Sequence, residues 1–234
     1  MPQSHMVTRF DEELTALKNH VLSLGGLVEK AIANAMTALL KQDAELAKKT
    51  IERDKAVNAL EVECDEMTRR ILVLRQPAAG DLRFIISTIK VVTDLERMGD
   101  LAAHISQSAL KLEGVPVQSR ASLSGMSELV QQQVSRALDA LSSGNIELAM
   151  EVLEKDAAID ELYRGTYREM LTHMLEDPPQ ISAYITLANV AKNLERMGDH
   201  ATNICEMVIY MIRGHDIRHV DHEAAAALLK GEDS

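Results

Sequence analysis

The sequence predicts an all-α protein of two tandem, pseudo-symmetric three-helix bundles, six long helices in all. Three observations carry this. Apolar residues recur every three or four positions through long stretches, the period of an amphipathic helix. No stretch alternates apolar and polar residues for long enough to build a sheet. One six-residue segment occurs twice: Leu95-Glu96-Arg97-Met98-Gly99-Asp100 returns letter for letter as Leu194-Glu195-Arg196-Met197-Gly198-Asp199.

The first helix is expected over residues 10–40, where Leu14, Leu17, Val21, Leu24, Val28 and Ile32 fall on one stripe. A break at Gln42-Asp43 opens a second helix over 44–74. The run Arg75-Gln76-Pro77-Ala78-Ala79-Gly80-Asp81 reads as a turn, because proline and glycine punctuate helices. A third helix follows over 82–112. Residues 113–125, with Gly114, Pro116 and Gly125, form the best linker in the chain.

The plan then recurs. Residues 126–141 read as helix, Ser142-Ser143-Gly144-Asn145 as a loop offering an N-cap, and 146–175 as the next helix. Asp177-Pro178-Pro179 makes a hinge before a last helix over 181–213. The expected division is a first bundle over 1–114, a linker over 115–125, a second bundle over 126–214 and a tail over 215–234 with a short Ala/Leu helix. A weaker echo supports the duplication: Asp54-x-Ala-Val57-Asn58-x-Leu60 matches Asp156-x-Ala-Ile159-Asp160-x-Leu162 in the middle helices.

Bulk composition narrows the function. The 234 residues carry a net charge of −11, with 36 acids against 25 bases and no long basic run. An acidic surface repels phosphate backbones, and 3% aromatics leave little to stack on bases, so nucleic acid is not an expected partner. Cys64 and Cys205 belong to no C-x-x-C and read as buried thiols of a reducing compartment. No apolar run approaches a membrane span and no leader is visible, so a cytoplasmic protein without membrane insertion is expected.

The repeated segment is the candidate site. Glu96 and Asp100, like Glu195 and Asp199, stand at i and i+4 on one helix face. On the helix wheel Glu96 and Asp100 share a sector with Leu82, Ile85 and Ile89, opposite Arg83, Ser87, Lys90 and Asp94. Glu195 and Asp199 share theirs with Ile181, Tyr184 and Ala188. Carboxylates on an apolar stripe are costly unless paired or coordinated, and like charges one turn apart repel. Something cationic is therefore expected between them, either a metal ion or an arginine such as Arg97 or Arg196. Neighbours on a helix point about 100° apart, which disfavours pairing of Glu96 with Arg97. Gly99 and Gly198, each costing about 1 kcal/mol inside a helix, point to close approach by a neighbouring helix or a ligand.

The middle helices offer complementary donors: Asp54 and Asn58 in the first half, Asp156 and Asp160 in the second. Such oxygen donors suit magnesium, manganese, calcium or iron more than structural zinc. His104, one turn beyond Asp100, is a possible extra ligand; its counterpart is Asn203, and His200 points elsewhere. His215, His219 and His222 read as surface residues. No Walker-type loop, H-E-x-x-H, G-x-S-x-G or kinase motif is present.

These motifs resemble those of the PhoU family of phosphate-transport regulators. The likeness spans nearly the whole chain and includes Leu22-Ser23-Leu24-Gly25-Gly26-Leu27-Val28-Glu29, Arg75-Gln76-Pro77-Ala78 before Asp81-Leu82-Arg83, both Leu-Glu-Arg-Met-Gly-Asp segments, Glu176-Asp177-Pro178 and residues 210–219. The resemblance implies tandem three-helix bundles with metal clusters at paired Glu/Asp-x-x-x-Asp motifs, which map to Glu96/Asp100, Glu195/Asp199 and Asp156/Asp160. Asp54/Asn58 departs from that pattern by an amide. It also implies a non-enzymatic adaptor that couples a phosphate ABC transporter, through its ATPase subunit, to a sensor histidine kinase and so represses the phosphate-starvation response. Iron, manganese, magnesium and zinc all stay open as the metal. A homodimer is expected from the internal duplication. The rival reading is a metal-dependent hydrolase or oxidase using the acidic clusters; a third is a structural duplication held by ion pairs alone.

Overall fold

The computed structural model describes residues 2–115, 120–218 and 220, with the side chains of 9–115, 122–218 and 220. Six helices follow in order: α1 (Pro2–Lys41), α2 (Ala44–Leu74), α3 (Ala79–Lys111), α4 (Arg120–Ser143), α5 (Ile146–Glu176) and α6 (Ile181–Arg213), with a single 3-10 turn, Pro178–Gln180, before the last. No strand occurs among the described residues.

Helix starts are set by local chemistry. Asp43 caps α2 by accepting from the Leu46 amide at 2.9 Å, and Asn145 caps α5 from the equivalent position by accepting from Leu148 at 3.0 Å. The residue before each cap is left-handed: Gly144 at φ +67° in the second half, but Gln42 at φ +56° in the first. Glycine takes that conformation freely, whereas a side chain strains it. α3 begins at Ala79, three residues earlier than the sequence suggests, because Asp81 sits in its first turn, where an acid favours the helix dipole. α4 begins at Arg120, so the end of the expected 115–125 linker is helical. Leu123 and Met126 are both fully buried there and anchor the turn, while Gly125 faces open space. The Ala/Leu helix expected in the tail falls on residues outside the described ones, as do His219 and His222.

Within each half the three helices pack on one another, α1, α2 and α3 in the first and α4, α5 and α6 in the second. The halves are not separate bundles on a tether. α3 lies along α6 and α1 along α4, and a single apolar core runs through both halves. It is built from Leu, Ile, Val, Met and Ala, with Tyr184 its buried aromatic. α3 and α6 run antiparallel: Asp94 Oδ1 meets His200 Nδ1 at 2.8 Å and accepts from Asn203 at 3.1 Å, while the Arg83 side chain packs against Gly214. The α2–α3 and α5–α6 turns therefore lie at opposite ends of the molecule.

This packing revises the wheel reading of α3. Ser87 is fully buried and Asp94 is sheltered, since their sector meets α6, whereas Leu82 and Ile89 are exposed. A central helix has neighbours on several sides, so its polar sector need not face water. Both cysteines are buried, and burial pushes the Cys64 thiol up to about 11 and Cys205 upward as well.

Two substitutions test the local account. Gln42→Gly is expected to stabilise by up to about 1 kcal/mol by relieving the left-handed strain, and Asn145→Ala to destabilise by about 1 kcal/mol. Urea titration of each variant reads both. The shared core makes each titration one transition rather than two.

Candidate metal centre

Gly99 and Gly198 are where the outer helices come closest to the central ones. A Cβ on Gly99 would stand 2.9 Å from Val57 Cγ1 and 3.4 Å from Asp54 Oδ1 of α2. One on Gly198 would stand 3.3 Å from Ile159 Cδ1 and 3.5 Å from Asp156 Oδ1 of α5. The neighbour that the glycines admit is thus a helix, and its approach sets the α2 and α5 carboxylates beside those of α3 and α6.

In the first cluster the charge of Asp100 bears on Asp54, Glu96 and Glu61, and that of Glu61 on Glu96. Asp54 is pushed above the ordinary carboxylate range by burial and then by Asp100, while Asn58 and His104 pull it down. Glu96 is raised by burial, then by Asp100 and Glu61, and shares a hydrogen bond with Asp100. Glu61 is raised by burial and then Asp65. Asp54 Oδ1 is enclosed by protein and has no hydrogen-bond partner, while the other oxygen accepts from Asn58 at 3.5 Å.

In the second cluster burial raises Asp199, followed by Glu195, Asp156 and Asp160. Here the chain supplies its own cation. The Lys192 ammonium lies 2.6 Å from both Glu195 oxygens and 5.2 Å above the Tyr163 ring, and Gln133 donates to Asp156 Oδ1 at 3.2 Å. Gln133 Oε1 is enclosed without a partner.

The expected acids of each half therefore neighbour one another, partly exposed at the surface rather than in the core. The Glu96 and Glu195 side chains are only 16% and 13% exposed, Asp100 is 38% exposed, and Asp199, Asn58 and His104 open to solvent. His104 reaches Asp54 only through its charge; His200 points away to Asp94. Arg97, whose pairing with its neighbour the 100° spacing disfavours, curls back to 3.6 Å from Glu96 and 3.8 Å from Asp100, because its long side chain spans the angle between them. At 57% exposure it neutralises them only weakly. Glu61, Lys192 and Gln133 escaped the sequence reading. Glu61 lies three residues beyond Asn58, on the same face of α2, and Lys192 three before Glu195, so helical spacing could have found both.

The donor set fits a hard cation: mainly oxygen, several carboxylates of like charge, and an enclosed Asp54 oxygen with no partner. Among the described residues no three His, Cys, Asp or Glu side chains close round one point.

The fold defines an all-helical protein duplicated internally. A family model described as the PhoU domain matches residues 21–109 and again 123–208, and the chain belongs to the PhoU family. The chain is 42% identical over 229 residues to the phosphate-specific transport system accessory protein PhoU homolog of Pseudomonas putida, covering 97% of this chain and 90% of the relative. The crystal structure of PhoU from Pseudomonas aeruginosa superposes with a TM-score of 0.86 at 42% identity, over 88% of this chain and all of that one. The phosphate transport system regulatory protein PhoU from Streptococcus pneumoniae gives 0.83 at 31% identity, over 88% of this chain and 98% of that one. These relatives are named as accessory and regulatory proteins. The chain is not an enzyme, and the hydrolase or oxidase reading falls.

Gly99→Ala should destabilise by about 1–3 kcal/mol, since stiff Val57 cannot turn aside; denaturant titration measures it. The clusters also set a pH dependence in metal-free protein. Groups raised by folding hold protons that the unfolded chain has released, so their stabilising contribution is present below about pH 4 and lost as pH rises through their folded values. The melting temperature of chelator-treated protein should therefore rise as pH falls from 7 to about 5, and the rise should shrink in Asp54→Asn/Glu96→Gln.

Proposed function

We propose that this chain is an accessory regulator of phosphate transport which holds the phosphate-starvation response off when phosphate is plentiful. In this reading it works in the cytoplasm, between the ATPase subunit of a phosphate ABC transporter and a sensor histidine kinase. The single observation that carries it is the twofold match to the PhoU domain, over residues 21–109 and 123–208, with a carboxylate cluster at the same place in each matched half. No helix among the described residues is long and apolar enough to cross a membrane, so contact with a transporter runs through helix surfaces.

The clusters are proposed to hold metal ions, with Glu96, Asp100, Asp54 and Asn58 as first-half donors and Glu195, Asp199, Asp156 and Asp160 as second-half donors. A bound metal would supply positive charge that removes the repulsion and ties each outer helix to its central one. Glu61 lies close enough to share in the first set. Lys192 already neutralises Glu195, so it must swing off that carboxylate before both oxygens can be shared.

A strain lacking this chain should express a phosphate-starvation reporter at full level in high phosphate, and the intact gene should silence it. Unchanged repression in the deletion strain would contradict the regulatory role. Elemental analysis of protein purified without chelator should find metal near stoichiometry, falling at least about twofold in Asp54→Ala/Glu96→Ala/Asp100→Ala. With metal bound the carboxylates are favoured in their charged state, so the pH trend of the melting temperature should reverse, with stability lost as pH falls.

A further inference from the structure

The two carboxylate clusters differ in what already sits on them. In the second, Lys192 holds both Glu195 oxygens at 2.6 Å and rests over Tyr163, and Arg164 reaches Asp160 at 3.4 Å, one turn along α5. In the repeat, Thr93 stands where Lys192 does, Glu61 where Tyr163 does and Val62 where Arg164 does. The Thr93 hydroxyl donates to Ile89 of its own helix and Val62 is exposed, so neither brings a charge to the acids. The first cluster has Arg97, which stays largely in water and comes no closer than 3.6 Å to a carboxylate. A short, hydrogen-bonded ammonium on a sheltered carboxylate is the firmer of the two contacts.

Lys192 does not satisfy the whole second cluster. Gln133 is more than nine-tenths buried, and its Oε1 has no donor to meet it. That oxygen lies 3.3 Å from where a Gly198 Cβ would stand, and Asp156 Oδ1 lies 3.5 Å from the same point. An enclosed acceptor beside a carboxylate, in a group of four acids, offers oxygens to a hard cation that a single ammonium on Glu195 leaves unused. In the first cluster the enclosed, unpartnered oxygen belongs to Asp54, and no ammonium stands on any of its acids.

We propose that the clusters are unequal metal sites: the first takes a hard divalent ion directly, whereas the second takes one only by displacing Lys192, a competitor built into the chain. This rests on the reading that the clusters hold metal. Lys192 is fixed on α6 three residues before Glu195, so even when displaced it stays within reach of that carboxylate. Its effective concentration does not fall as metal rises. An incoming ion must break a charge-assisted contact to both Glu195 oxygens and lift the ammonium off the Tyr163 face, which sets the second site about tenfold or more weaker than the first. When metal is scarce the second half keeps a cation of its own, and the first half does not.

The test titrates manganese(II) into the chelator-stripped full chain and reads the free ion by its electron paramagnetic resonance signal. Wild type should show two classes of site at least about tenfold apart, and Asp54→Asn/Glu96→Gln should remove the tighter one only. Lys192→Met, which keeps an unbranched side chain over Tyr163, should tighten the weaker class by about tenfold and leave the tighter class alone. A gain of affinity cannot come from a chain that fails to fold. Thr93→Lys, at an exposed position, should weaken the tighter class by placing the same competitor in the first half. A single class of equal sites, or a weaker class that Lys192→Met leaves unchanged, would overturn the competition while the metal reading stands. No manganese bound by wild type or by Lys192→Met would overturn both.

Discussion

Helix contact without a side chain between, at Gly99 and Gly198, decides how near the carboxylates of neighbouring helices come. A methyl group at Gly99 would stand 2.9 Å from Val57 Cγ1 and force α2 or that side chain to shift, while one at Gly198 would press more lightly on Ile159 and Gln133 at 3.3 Å. The apolar core holds the helices together regardless of what the acids prefer, so like charges sit side by side because packing puts them there. Raised proton affinity at Asp54, Glu96 and Asp199 is the electrostatic record of that compulsion. A group forced into such a neighbourhood accepts whatever positive charge is offered, whether proton, lysine or metal ion.

The halves answer this demand differently. In the second, Lys192 reaches Glu195 and rests over Tyr163, and Gln133 serves Asp156. The corresponding positions in the first half are Thr93, Glu61 and Ala31. The first half therefore replaces a cation and an aromatic ring by a hydroxyl and another carboxylate, with the exposed Arg97 and, beside Asp54, His104 nearby. Duplication copied the backbone and the acid motif, and later substitution separated the two clusters in charge.

Most of the fold is legible in the sequence because long amphipathic helices announce their own period. The bounds of α2 and α6 fall where apolar spacing and proline place them, and the Asn145 cap where the loop offers it. Early starts of α3 and α4 are less visible, since a first turn with glycine or few apolar residues is stabilised by what it docks on. The acidic neighbourhood of each half is legible in the repeat. Its depth is not. A helix wheel assigns one buried side, but α3 has three packing partners, so Ser87 and Asp94 are covered by α6 while Leu82 meets water. The contact of Arg97 with Glu96 is understated by the wheel for another reason, because wheel angles describe Cβ directions and ignore the reach of a long side chain.

The continuous core has an implication for how such a chain arose. The flank of α3 that α6 covers includes buried Ser87 and sheltered Asp94, whose partners His200 and Asn203 lie on the other half. A solitary ancestor of three helices would have left that flank bare. It would have needed a twin lying antiparallel against it, so gene fusion would have joined two subunits already in contact. The seam between α3 and α6 is then an old subunit boundary turned into the middle of a single molecule.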